Sequence, residues 1–174
     1  TGTYNLSNGT LTINGDIRTD SGTGLFNQTG GSTTANWIRM GINGGSDGEF
    51  RVSNGTVQIN NEARIGENGT GVLRLGGTAQ LTDNGSLMIG YGASGQGTAY
   101  MSDSAVLTVN GGVMRVGDAG AGTLNMTGGT INTANWFVIG QGGSQTSTVN
   151  MSGGTLNVNT NGGGLSCVHP NMYG

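Results

Sequence analysis

Apolar residues fall on alternate positions in short runs along the whole chain, and glycine or asparagine closes most runs. Residues 123–140, TLNMTGGTINTANWFVIG, show the unit. Leu124 and Met126 form the first run, Ile131 and Ala134 the second, Phe137 and Ile139 the third. Gly128-Gly129 separates the first two, Asn135 precedes the third, and Gly140 ends it. Alternation over such short runs predicts half-buried strands, one face inward and the other toward solvent. Helical spacing of apolar residues is missing, and helix-breaking glycine recurs throughout, so no helix is predicted.

The unit recurs in seven copies. They begin YNLSNGT at Tyr4, FNQTGGS at Phe26, FRVSNGT at Phe50, LRLGGT at Leu73, AYMSDSA at Ala99, LNMTGGT at Leu124 and VNMSGGT at Val149. A period averaging about 24 residues is that of a solenoid, because one such repeat is a single coil that cannot bury its own apolar face. Three strands per coil, each stacked on its equivalent in the next, predict three parallel sheets around an apolar interior: a parallel β-helix. Right-handed winding is expected, since crossovers between parallel strands are nearly always right-handed. In the third copy Phe50, Val52, Val57, Ile59, Ala63 and Ile65 are predicted to point inward; in the fourth, Leu73, Leu75, Ala79, Leu81, Leu87 and Ile89; in the fifth, Ala99, Met101, Leu107, Val109, Met114 and Val116. The solenoid is assigned to residues 1–160, and 161–174 to an irregular C-terminal segment, a last partial coil or an inter-subunit contact.

Two sets of residues read as structural. Gly41, Gly66, Gly90, Gly117 and Gly140 each follow a third strand, where a sharp turn favours positive φ. Asn14, Asn36, Asn60, Asn110, Asn135 and Asn159 fall at the second turn, and one per coil predicts an internal amide ladder.

The recurring GTLNMTGGTINTANWFVIG and STVNMSGGTLNVN pattern resembles the glycine- and asparagine-rich repeats of exported bacterial surface proteins, namely autotransporter-associated β-strand repeats and those of PEP-CTERM-sorted proteins. The resemblance extends over nearly all of residues 2–160. It implies a right-handed β-helix outside the cell, acting as stalk, adhesin or matrix component.

Composition narrows the functional classes. The chain has 174 residues, with 38 glycines, one proline, 9% charged residues and a net charge of −3. Its low charge and strict apolar periodicity separate it from disordered chains, and glycine does not recur every third position as in collagen. The six basic residues are all arginine and are dispersed, so no nucleic-acid footprint is expected. No apolar run is long enough for a helical membrane span. One cysteine, Cys167, leaves no internal disulfide.

Candidate chemistry is sparse. Residues 90–95, GYGASG, spell G-x-G-x-x-G, but a strand rather than a helix follows, so no dinucleotide site is expected. Asp16 and Glu62 share an outward position two coils apart, a spacing near that of inverting glycosidases, with Arg18, Arg39 and Arg64 alongside as ordinary ion-pair partners. Asp47 and Asp118 only echo a calcium nonapeptide, and Cys167 with His169 lacks further zinc ligands. Neither metal nor cofactor is predicted. Trp37, Trp136 and Tyr100 face outward as candidate glycan or partner contacts. A threonine column (Thr10, Ser32, Thr56, Thr78, Thr130, Thr155) has the partner column Thr12, Thr34, Gln58, Gln80, Thr108, Asn132 and Asn157, too irregular for an ice-binding array. Asn-x-Ser/Thr triplets begin at Asn5, Asn8, Asn27, Asn54, Asn68, Asn84, Asn125 and Asn150; several fall on the repeat's own turns, so chance accounts for them, with attached glycans as the alternative.

The expectation is a non-enzymatic extracellular structural solenoid, a stalk or fibre subunit whose uncapped ends favour head-to-tail stacking into filaments. The alternatives are an adhesin or polysaccharide-binding module using the exposed aromatics, and a polysaccharide-cleaving β-helix enzyme using Asp16 and Glu62.

Overall fold

The computed structural model describes residues 1–142, 145–158 and 161–167. Among these, all regular structure is β. The first three coils each have two strands: β1 (Gly2–Leu6) and β2 (Thr10–Arg18), β3 (Thr23–Gln28) and β4 (Ser32–Met40), β5 (Asp47–Val52) and β6 (Thr56–Ile65). The last four have three. These are β7 (Thr70–Leu75), β8 (Gln80–Asp83) and β9 (Ser86–Ile89); β10 (Gln96–Met101), β11 (Val106–Val109) and β12 (Met114–Val116). They continue as β13 (Ala121–Met126), β14 (Thr130–Thr133) and β15 (Phe137–Ile139), then β16 (Thr148–Met151), β17 (Thr155–Val158) and β18 (Leu165–Cys167). Each strand pairs in parallel with its equivalent in the neighbouring coil, as in Phe26 opposite Phe50 and Leu124 opposite Val149. The chain is a β-solenoid of seven coils.

The three separate sheets expected from the sequence are two. One holds the seven first strands; the other has eleven strands, because β2, β4 and β6 carry the second and third faces in one continuous strand. The difference lies at the corner between the second and third faces. This corner interrupts the pairing by only one or two residues in coils one to three, where the register merely shifts after Ile13 and Ala35. From coil four on the strand is divided there, over Asn84-Gly85 in coil four and over residues 110–113 in coil five.

All the inward side chains predicted for coils three to five lie in one buried cluster running the length of the molecule. Parallel in-register stacking places like on like: Tyr4, Phe26 and Phe50 stack face to face, with ring centroids 5.5 Å and 4.5 Å apart and planes 7° and 2° from parallel. In coil six the inward residue is Thr133, fully buried opposite Val109, whereas Ala134 sits at the corner. Gln28 is also fully buried, and its amide is satisfied by its own coil and the next. It donates to the carbonyls of Gly31 and Thr56, both at 3.1 Å, and accepts from the Thr33 hydroxyl at 2.8 Å. A paired amide avoids the cost of an unmet buried polar group.

The turn glycines take the conformation the sequence demanded. Gly41, Gly66, Gly90, Gly117 and Gly140 have φ between 69° and 79°. Each of the first four backs onto a second glycine at the start of the next strand, which the sequence reading had not isolated. A Cβ on Gly71 would lie 2.0 Å from the Gly66 nitrogen, one on Gly97 2.3 Å from that of Gly90, and one on Gly122 2.1 Å from that of Gly117.

The asparagine column is a ladder on the outside of the solenoid, not inside it. The Asn36 amide donates to the Asn14 carbonyl at 3.0 Å, Asn60 to the Asn36 side chain at 3.0 Å, Asn110 to Asn84 at 3.5 Å and Asn135 to the Gly111 carbonyl at 3.1 Å. The corner turns away from the core, so its side chains meet solvent as well as one another. Asn159 lies outside the described residues, as do His169 and Pro170. Further amide rungs join Asn5 to Asn27, Asn125 to Asn150 and Asn132 to Asn157 on the strand faces.

Candidate functional site

The outward positions of the strands form three faces of different chemistry. On the first-strand face, one column reads Asn5, Asn27, Arg51, Arg74, Tyr100, Asn125, Asn150. Tyr100 stands there with the Arg74 guanidinium 4.0 Å from its ring centroid, and Glu49 bridges both Arg51 and Arg74, at 2.7 Å and 3.0 Å.

The second face is neutral. Its columns are Thr10, Ser32, Thr56, Gln80, Val106, Thr130, Thr155 and Thr12, Thr34, Gln58, Thr82, Thr108, Asn132, Asn157. In coil four the sequence reading was displaced by one column, since Gln80 belongs where Thr78 was expected and Thr78 lies outside the strand. The corrected columns are still broken by glutamine, valine and asparagine.

The third face holds most of the charge. Asp16, Trp37, Glu62 and Ser86 share a column, and Arg18, Arg39, Arg64, Met88 and Arg115 share the next, two residues on. Alternating charges form one chain of ion pairs. Arg18 joins Asp20 (3.1 Å) and Asp16 (3.8 Å), and Arg39 joins Asp16 (3.6 Å) and Glu67 (2.7 Å). Arg64 closes it by pairing with Glu67 (3.2 Å) and Glu62. The Arg64 guanidinium lies 4.0 Å from the Tyr91 ring centroid and 5.7 Å from that of Trp37. Burial alone would raise the Glu67 carboxyl, but hydrogen bonds and charge from Arg39 and Arg64 hold it below the ordinary value.

Asp16 and Glu62 do sit two coils apart in one column, as the sequence implied. Trp37 fills the position between them, and each carboxylate is committed to arginine. Trp37 is half-buried within this network. Trp136, 48% exposed, is on the same face four coils away, its ring against Gly164 of the next coil. Tyr100 is on a different sheet. The three aromatics therefore form no shared platform.

The G-x-G-x-x-G segment is a turn. Its amides are spent on the coil beneath, Tyr91 N–H donating to the Gly66 carbonyl at 2.9 Å and Gly92 N–H to Glu67 at 2.6 Å, and β10 follows.

Asp83 was not anticipated. Its side chain is fully buried in the inward column between Ile59 and Val109, and one carboxylate oxygen accepts the Gly85 N–H at 2.8 Å. Burial pushes its pKa up to about 7, against the pull of neighbouring backbone N–H groups.

The two ends complete the picture. At the first coil, a cavity of about 510 Å³ opens between Tyr4, Ile17, Thr19, Phe26 and Met40. Tyr4, Met151 and Leu165 are 46%, 43% and 58% exposed, although all three continue columns that are buried in the coils between. Among the described residues, no helix is long and apolar enough to cross a membrane. Compared with known proteins, the chain matches no family model, no curated protein and no solved structure.

Proposed function

We propose that the chain is a non-enzymatic structural protein of the cell exterior, a β-solenoid stalk or fibre subunit that associates end to end with further copies of itself. One observation carries the reading: seven coils stack in parallel register around one apolar interior, a rod built from one repeated unit whose every coil edge can receive another coil. The edge of a coil in such a stack is an open sheet edge and an apolar cross-section, which favour pairing with a like surface. Contacts between unlike ends that do not close into a ring generate filaments. The polar groups support the same role, since the acids and arginines of the third face are spent on one another. Placement outside the cell rests on the resemblance to exported glycine- and asparagine-rich repeats.

Electron microscopy of the purified chain over rising concentration tests the proposal. Unbranched filaments of one width, lengthening with concentration, are the expected result. Dispersed monomers at the highest soluble concentration would overturn it.

A further inference from the structure

We infer that the second face is a binding surface for an uncharged linear polysaccharide, which lies along the rod and crosses one coil after another. This role is separate from end-to-end association, since it uses the side of the solenoid and not the edge of any coil.

The first observation is charge. None of the six arginines and nine acidic residues stands in the two outward columns of this face. The third face carries the Arg39 and Arg64 network, and the first carries Glu49, Arg51 and Arg74. An acidic polymer would therefore find no cation on the second face, and a basic one no anion.

The second observation is unspent hydrogen bonding. In coils two to six every outward position of the two columns except Val106 is a hydroxyl or amide side chain, and none is buried. Of these side chains only Asn132 is taken up by another protein group, accepting from the Asn157 amide at 2.8 Å. The acids and arginines of the third face are spent on one another, whereas these groups are turned to solvent. Hydroxyls and amides both donate and accept. Sugar hydroxyls have the same double capacity and no charge to desolvate.

The third observation is shape. Parallel in-register pairing repeats each column at about 4.8 Å per coil on an open sheet face. Small molecules are held in concave sites, so an open face offers them little. A polymer instead gathers many weak contacts, each raising the effective concentration of the next. A second rod fits the same face less well. Gln58 and Gln80, both exposed and in adjacent coils, stand among shorter threonines and would hold two rigid faces apart. A chain with rotatable linkages follows that step.

The test is native electrophoresis of the full chain through gels containing, in turn, hydroxyethylcellulose, glucomannan, soluble β-1,3-glucan, dextran and polygalacturonate. Retardation by at least one of the neutral polymers, undiminished by high salt and absent with polygalacturonate, is the expected result. Thr34→Val, Thr56→Val, Thr82→Val and Thr108→Val combined keep the β-branched shape and remove four hydroxyls. This variant should weaken the retardation about tenfold or more. Gln58→Ala with Gln80→Ala is a second arm that disturbs no buried group and should weaken it in the same direction. Trp136→Ala, on the third face, should leave it unchanged. Retardation by none of the neutral polymers, stronger retardation by polygalacturonate, or binding that survives both second-face variants would overturn the inference. So would loss of binding with Trp136→Ala, or second-face variants that abolish self-association in sedimentation while polysaccharide retardation persists. Filaments in the microscope without any retardation would remove this surface and leave the structural reading intact.

Discussion

At the scale of single residues, Asp83 has the largest measurable consequence. Its carboxyl occupies a column position that holds Ile59 below and Val109 above, and removal from water disfavours its charged form. The folded chain therefore holds the proton to about pH 7, whereas the unfolded chain releases it near the ordinary value of 3.8. Between those two pH values the folded state binds more protons, so this group makes stability fall as pH rises and contributes no further change above about 7. The slope approaches about 1.4 kcal/mol per pH unit, roughly 4 kcal/mol across the window. Asp83→Asn keeps an acceptor for the Gly85 N–H and cannot ionise. Urea unfolding from pH 4 to pH 8 should show the decline in wild type and a markedly shallower one in the variant, with the variant more stable at pH 8; parallel curves would contradict the assignment. The sequence did not disclose this residue, because LTDNGS reads as a polar turn. Asp83 shares the inward parity of Ala79 and Leu81, but the apolar run ends at Leu81, and only the pairing of Asp83 with Ile59 and Val109 shows that the strand continues to it.

At the scale of the coil, the unit is held by two glycines rather than one. The turn glycine, such as Gly66, adopts positive φ, and the strand that follows brings a second, Gly71, against it so closely that a side chain would meet the Gly66 backbone. The first of the pair was legible because it closes each apolar run. The second was hidden inside a strand, five to seven residues further on, where glycine is unfavourable and carries no turn signal. Gly71→Ala should cost at least about 2 kcal/mol and lower Tm by several degrees, since the methyl can be accommodated only by moving backbone. Gly2→Ala, with nothing within 4 Å of its added methyl, is the matched control and should leave Tm nearly unchanged. Equal effects would show that the close contact is not what confines position 71 to glycine. The alternation itself was readable because the coil has one dry interior, and every second side chain of each strand must enter it. The corner asparagines were placed at the right turns but on the wrong side, since amide hydrogen bonding along a column is equally compatible with an internal or an external ladder.

At the scale of the whole molecule, stability is distributed along one dimension. Coils pair strand to strand with their immediate neighbours, so an inner coil such as the fourth is held on both sides, while among the described residues β1 pairs only with β3 and β16 only with β13. Solenoids behave as a sum of repeat and nearest-neighbour terms, so opening should begin at the ends and cost progressively more toward the middle. Hydrogen exchange on the dilute chain should find the amides of β1, β2, β16, β17 and β18 fast and those of β7 and β10 slowest. End-to-end stacking would supply the missing neighbour to both terminal coils and nothing to the centre. Raising the concentration should therefore slow exchange in β1 and β16 while leaving β7 unchanged. Protection that rises everywhere together would instead indicate lateral packing of whole rods through a face. The neutral threonine and asparagine columns are the surface for such packing, because they run the full length of the molecule without a charge to desolvate. The two patterns separate axial from lateral growth in one experiment, since axial contact covers only the terminal coils and lateral contact covers every coil equally.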